Sequence, residues 1–369
     1  MKILALCLTM AFILVNGLQD NQLHTKLASS ERCFIQTPGA KLGATLDLPA
    51  GDGLFPGVLL ISGSGSQDRS GSPTHLPAYK PFDWLSEALT SQGVAVLRYD
   101  DRGSGESVGD LTLSTTEDYA DDAEAAFSYL LAHPRIDDTR VGVLGHSEGA
   151  IMAAMIASSN RSTVAFVISL GGPALPGAES LKLQTRRVLM VTGATEDEID
   201  VAVSDQSRSF ELALARNQDA IREHLTSMYL TRLQALQEAA RASIGDLEAA
   251  AQQRASVSAA NLMSPYFLFF LEHDPGENWR HLTVPTLAIY GELDVQADHA
   301  AHSARLREIE QMSEHMNLSV EVIEGANHLF QDAETGAIGE YTTLPMRFVE
   351  GLEQSICDWL LEVLDNERS

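Results

Sequence analysis

The stretch RVGVLGHSEGAIMAAMIAS, residues 140–158, decides the fold. Its first half is a short apolar run, the pattern of a strand buried on both faces of a sheet. Its second half, EGAIMAAMIAS, is a small-residue helix. Between them lies Gly145-His146-Ser147-Glu148-Gly149, the G-x-S-x-G pattern. A turn this tight brings backbone and side chains close together, so glycine flanks it on both sides. The serine is left exposed at the carboxyl end of the strand, where open α/β sheets place their sites.

Working outward, the same alternation recurs. Upstream, ERCFIQT and KLGATLDLP flank a Pro38-Gly39 turn and read as a hairpin. Gly57-VLLIS-Gly63 and GVAVLRYD (93–100) read as buried strands, with FDWLSEALTSQG (82–93) as a helix between them. TTEDYADDAEAAFSYLLAH (115–133) is a helix with an acidic first half. Downstream, VAFVISLGG (164–172) is a further strand. Strands alternating with helices imply βαβ units and a doubly wound, mostly parallel α/β sheet.

Between about residues 176 and 280 the rhythm stops. The segment is rich in Ala, Leu, Gln, Glu and Arg and holds no strong strand candidate after VLMVTGA (188–194). SRSFELALARNQ (207–218) and TSMYLTRLQALQEAARAS (226–243) read as helices. The alternation resumes with VPTLAIYGELD (284–294), a helix over about 300–315, LSVEVIEGANH (318–328) and a final helix near residues 345–364. The expected organisation is a core of residues 18–175 and 281–369, with a helical cap at 176–280.

Residues 3–15 form an apolar run after Lys2, followed by Gly17. This pattern predicts a secretory signal over residues 1–17 and a secreted or periplasmic protein. The run is too short to span a bilayer, which takes about 20 apolar residues. After cleavage no stable membrane insertion is expected. Cys33 and Cys357 would remain, near opposite ends of the chain, and are read as two free thiols, although export would permit a bridge. The net charge of −26 would be repelled by phosphate backbones and anionic headgroups, which argues against nucleic-acid partners.

A serine hydroxyl needs a base, and the base needs an orienting carboxylate. In this strand order the acid comes next and the histidine last. His299, His302 and His315 fall on or beside a helix, where a solvated face is the expected role. His328 follows a strand in a Gly-Ala-Asn-His loop and is the chosen base. Asp294, just past the strand TLAIY, is the chosen acid, with Glu292 and Asp298 as neighbouring alternatives. The oxyanion needs two preorganised donors. These are assigned to the backbone N–H groups of Glu148 and Ser64. No Lys follows the Gly63–Ser66 loop as a phosphate-binding loop would require.

These motifs resemble the serine hydrolases of the α/β-hydrolase superfamily, in particular the bacterial esterase D-like branch near the dienelactone-hydrolase and serine-aminopeptidase groups. The matching stretches are LLISGSGSQDRSG, VLRYDDRGSGES, VGVLGHSEGA, VAFVISLGGPALPG, SPYFLFFLEHDP, VPTLAIYGELDVQ, and EGANHLFQ with TGAIGEY. The resemblance puts the family's nucleophile on Ser147, acid on Asp294, base on His328 and oxyanion loop on Gly63-Ser64. Ala150 departs from it, standing where similar proteins commonly have a second glycine. In Asp101-Arg102-Gly103 it implies an ion pair that shapes a loop.

The expected function is hydrolysis of short- to medium-chain carboxylic esters, with a small-molecule ester as the partner and no cofactor or metal. The apolar run 262–271 is expected to form the substrate pocket through Phe267 and Phe269. A thioesterase, acyltransferase or peptidase would use the same triad. A non-catalytic binding protein on this scaffold is a further alternative.

Overall fold

The hairpin read at the start of the core becomes β1 (Ser29–Thr37) and β2 (Ala40–Leu48), antiparallel about the Pro38-Gly39 turn. The computed structural model describes residues 29–159, 163–313 and 316–366. The expected signal, residues 1–17, and His315 lie outside the described residues.

β3 (Phe55–Ile61), β4 (Ala95–Tyr99), β6 (Ile136–His146), β7 (Val167–Leu170), β8 (Pro285–Gly291) and β9 (Asn317–Ile323) form the parallel part of one sheet. Its order is β1-β2-β4-β3-β6-β7-β8-β9, and a two-residue strand, β5 (Val108–Gly109), pairs with β2. The sequence reverses direction around β3, so helices cover both faces. One face carries α2 (Thr116–Leu131), α3 (Glu148–Ser158) and α11 (His299–Met312). The other carries α1 (Pro81–Ser91) and α12 (Leu352–Asn366). The acidic start of α2 has a structural use: Thr115 and Asp118 cap the helix reciprocally.

Between β7 and β8 the chain builds α4 (Gly177–Val191), α5 (Glu196–Leu214), α6 (Gln218–Gln234), α7 (Glu238–Ile244), α8 (Leu247–Leu262), α9 (Pro265–Glu272) and α10 (Pro275–Trp279). VLMVTGA is the end of α4, not a strand. Helices α5, α6, α8 and α9 share an apolar centre of their own around Phe210, Leu225, Ala255 and Leu268. α10 belongs instead to the main core: Trp279 is fully buried there and its indole N–H donates to the Pro173 carbonyl. Among the described residues no helix is long and apolar enough to cross a membrane.

Cys33 and Cys357 are both free thiols. Cys33 packs against the core on the α2 side of the sheet and Cys357 is buried on the α12 side, so the sheet separates them.

Candidate active site

β6 ends at His146 and α3 begins at Glu148, leaving one residue to make the turn. That residue is Ser147, with φ 54° and ψ −121°. A non-glycine residue in this region is strained by roughly 1–3 kcal/mol, which the surrounding structure must hold in place. The Ser147 N–H donates to the Leu170 carbonyl, and the loop after β3 passes directly beneath the turn.

His328 reaches the same point from the loop after β9. Its Nε2 lies 3.1 Å from Ser147 Oγ, and its Nδ1 lies 2.8 Å from Asp294 Oδ2. Asp294 is fully buried, and its other oxygen accepts the backbone N–H groups of Gln296 and Ala297. This fixes the carboxylate, and the carboxylate fixes the imidazole tautomer. The His328 loop is rigid for a local reason: Asn327, fully buried, accepts the N–H groups of Leu329 and Gln331 on its side-chain oxygen. His146 contributes as well. Its Nε2 lies 3.0 Å from the His328 carbonyl oxygen, and burial lowers its pKa to about 4, so the ring is neutral and donates that hydrogen bond.

The alternative acids have other employment. Asp298 accepts the Ala301 N–H as the N-cap of α11, and Glu292 accepts the N–H of Gly325. His302 is not on a solvated face. It is buried on the inner stripe of α11 with Leu306 and Ile309, and its Nδ1 accepts the Ala174 N–H.

The loop between β3 and α1 is held by two carboxylates, the half-buried Asp101 and the buried Glu148. Asp101 accepts the Ser62 hydroxyl and the Gln67 N–H. Glu148 accepts three hydroxyls: Thr116 at 2.6 Å on one oxygen, and Ser64 at 2.6 Å and Tyr266 at 2.5 Å on the other. Burial raises the Asp101 carboxyl to about 7, with further upward pressure from Glu148 and Asp122. Burial, and then the Glu148 carboxylate, hold the Tyr266 hydroxyl protonated well above its ordinary range. Arg102 forms its ion pair outside the Asp101-Arg102-Gly103 stretch, bidentate with Asp122 at 2.6 and 2.8 Å, anchoring the loop to α2.

Ser64, Ser147, Glu148 and His328 line one cleft of about 320 Å³. Helices α4 and α9 roof it through Leu181, Gln184 and Phe270. Of the two aromatic residues expected in the substrate pocket, Phe267 and Phe269, neither lines this cleft. Phe267 turns into the apolar centre of the inserted helices beside Phe210, and Phe269 stacks on His273. Phe270 is the aromatic residue of this run in the cleft. Helical period explains the difference: Tyr266 and Phe270, four apart, share the face toward Glu148, while Phe267 and Leu271 share the face toward α5 and α8. Tyr266 and Gln296 were not singled out by sequence reasoning. A helical-wheel reading of residues 265–272 would have found the first.

Chemically, the arrangement is a nucleophile, a base and an orienting acid in hydrogen-bonded series, beside a loop and a helix N-terminus that offer N–H donors. Among the described residues no group of three or more His, Cys, Asp or Glu side chains is placed to hold a metal ion.

Residues 58–338 match the profile of a family described as the alpha/beta hydrolase family. The chain is 29% identical over 293 residues to the esterase EstD of Thermotoga maritima, covering 79% of this chain and 59% of that protein. It is 27% identical over 170 residues to mouse acyl-coenzyme A thioesterase 3, covering 44% of this chain and 35% of the relative. The chain therefore spans about three-fifths or less of the length of these relatives. Among solved structures, the fold resembles the α/β hydrolase GrgF from Penicillium at a TM-score of 0.54 and 15% identity, covering 92% of this chain and 98% of that one. It resembles the Pyrococcus furiosus esterase Pf2001 at a TM-score of 0.53 and 15% identity, covering 92% and 91%.

Proposed function

The chain belongs to the α/β-hydrolase family, and from that premise we propose that it is a serine carboxylesterase acting on short- to medium-chain esters. One observation carries this reading: His328 stands 3.1 Å from Ser147 Oγ on one ring nitrogen and 2.8 Å from Asp294 on the other. Ser147 Oγ attacks the ester carbonyl carbon while its proton passes to His328 Nε2. Asp294 stabilises the imidazolium through Nδ1–H. The oxyanion is held by the N–H groups of Ser64 and Glu148. Collapse of the tetrahedral species expels the alcohol, which takes the proton from His328. Water, deprotonated by the same ring, then frees the acid from the acyl-enzyme.

The roofed cleft supports a small acyl group. Its volume of about 320 Å³ lies at the low end of small-molecule pockets. The apolar run at residues 3–15 supports a secreted or periplasmic location. The similarity to the mouse thioesterase favours a second reading, transfer of an acyl group from a thioester. Against CoA thioesters stands the charge: no described residue lining the cleft is Lys or Arg, and the chain carries −26 overall. A polyanionic nucleotide would have no cation to meet it there.

The test is turnover of p-nitrophenyl esters from acetate to palmitate, compared with acyl-CoA thioesters and aminoacyl anilides. Ester hydrolysis with preference at short to medium length, and labelling of Ser147 by a fluorophosphonate, is the expected result. Faster turnover of the thioesters or anilides would replace this reading.

A further inference from the structure

The cleft is not the only space at the inserted helices. Beside it opens a groove of about 1290 Å³, walled by Val188 and Leu189 of α4, Phe210 of α5, Leu225 and Met228 of α6, and Phe267 of α9. Gln184 and Ile338 line both spaces, so the groove meets the cleft at this pair. Ile338, an apolar side chain, is 43% exposed at the junction. The charged residues along the groove are Asp197 and Glu198, with Arg232 committed to Asp205 at 3.2 Å. Such a surface suits a neutral apolar ligand and opposes an anionic one.

We propose that this groove binds the apolar alcohol arm of the ester, while the acyl group occupies the cleft. The inference rests on the esterase reading above and names the second half of its substrate. An ester extends in two directions from the reacting carbon, and the cleft has room for the ester group and one modest arm. The order of product release assigns the arms. The acyl group stays covalently attached until water arrives, which suits the smaller, roofed space. The alcohol departs first, and the groove, open to solvent along its length, gives it an exit that leaves the roof over the acyl-enzyme in place. The substrate class is thus an ester of a short- to medium-chain acid with a long or bulky neutral alcohol. The aromatic run at 262–271 serves both arms: Phe270 faces the cleft and Phe267 the groove.

The experiment compares two series on the native enzyme: acetates of ethanol, hexanol and dodecanol, and p-nitrophenyl esters from acetate to laurate. Two variants fill the groove from different helices, Thr185→Trp on α4 and Ala202→Trp on α5, at positions that line the groove and not the cleft. For the native enzyme, kcat/KM should rise with alcohol length by about two- to fourfold for each methylene buried. In both variants the dodecyl-to-ethyl ratio should fall at least tenfold, while the laurate-to-acetate ratio moves less than twofold. A flat native alcohol profile overturns the proposal, as does an unchanged dodecyl-to-ethyl ratio in both variants. Loss confined to the long-acyl series would give the groove to the acid instead. Absence of any Ser147-dependent hydrolysis, even of ethyl acetate, would remove the esterase reading and this proposal with it.

Discussion

A β-carbon built on Gly149 would stand 2.5 Å from the carbonyl oxygen of Ser62 and nearer still to that of Ile61. The end of β3 therefore passes under the first turn of α3 with no room for a side chain, and this contact sets the height of Ser147 above the loop carrying Ser64. Both obstacles are backbone, so neither can rotate away. We expect Gly149→Ala to destabilise the protein by about 2–4 kcal/mol, in the range of severe overpacking. Any folded fraction should lose most activity, because the loop must move by a large part of an ångström. Urea midpoints and specific activity measure both effects. A variant of native stability and native kcat would contradict this account of the elbow.

Ser147 and His328 should behave as one unit. Ser147→Ala and His328→Ala are each expected to lower kcat by about 10⁶, and the double variant should be no worse than either single one. Folding should survive the serine change, since only a hydroxyl is lost. Additive losses in the double variant would show that the two side chains act separately.

Tyr266 ties the inserted helices to Glu148, the residue proposed to supply an oxyanion N–H, because its hydroxyl donates to the Glu148 carboxylate that also holds Ser64. Tyr266→Phe leaves the ring in place and removes that donor. Hydrogen bonds to a charged group contribute about 1.5–3 kcal/mol. We expect kcat to fall about three- to tenfold with a smaller change in KM, as for a positioning residue. Steady-state kinetics decide the matter. If stability drops while kcat stays native, the hydroxyl serves only to dock the helices.

The sheet and the three residues now aligned at its edge were legible in the sequence because each is announced locally. Glycines bracket Ser147, a strand ends just before Asp294, and another ends shortly before His328. Long-range packing is not announced this way. His302 sits on a helix whose polar surface suggested solvent, yet it shares a stripe with Leu306 and Ile309 that faces the sheet. Phe267, Phe269 and Phe270 are near neighbours in the chain but point into three environments, which only helical phase separates. The partners of Glu148 come from residues 64, 116 and 266, and nothing within one segment links them. The alanine at 150 is accommodated because the facing residue, Gly172, has no side chain to contest the space.

Asp101 gives the protein a pH-dependent stability that a single substitution should remove. Its carboxyl is half-buried beside Glu148, Asp122, Arg102, Tyr99 and Tyr119, and desolvation raises it to about 7. In the unfolded chain an aspartate titrates near 3.9. Between these values the folded state holds a proton that the unfolded chain has released. Stability therefore falls as pH rises from about 4 to about 7, and the penalty is fully developed above 7. From pH 5 to pH 8 the fall amounts to about 3 kcal/mol from this group. Asp101→Asn mimics the protonated form: its amide can donate to the Ser62 hydroxyl and accept the Gln67 N–H. The variant should match the native protein only near pH 4 and below, exceed it by a margin that grows from pH 5 to pH 7, and show a correspondingly shallower pH slope. Urea midpoints at pH 5, 6, 7 and 8 for both proteins give the comparison. Equal slopes would mean that Asp101 is already ionised at pH 5, and that the loop of Ser62 and Gln67 is held by a carboxylate throughout.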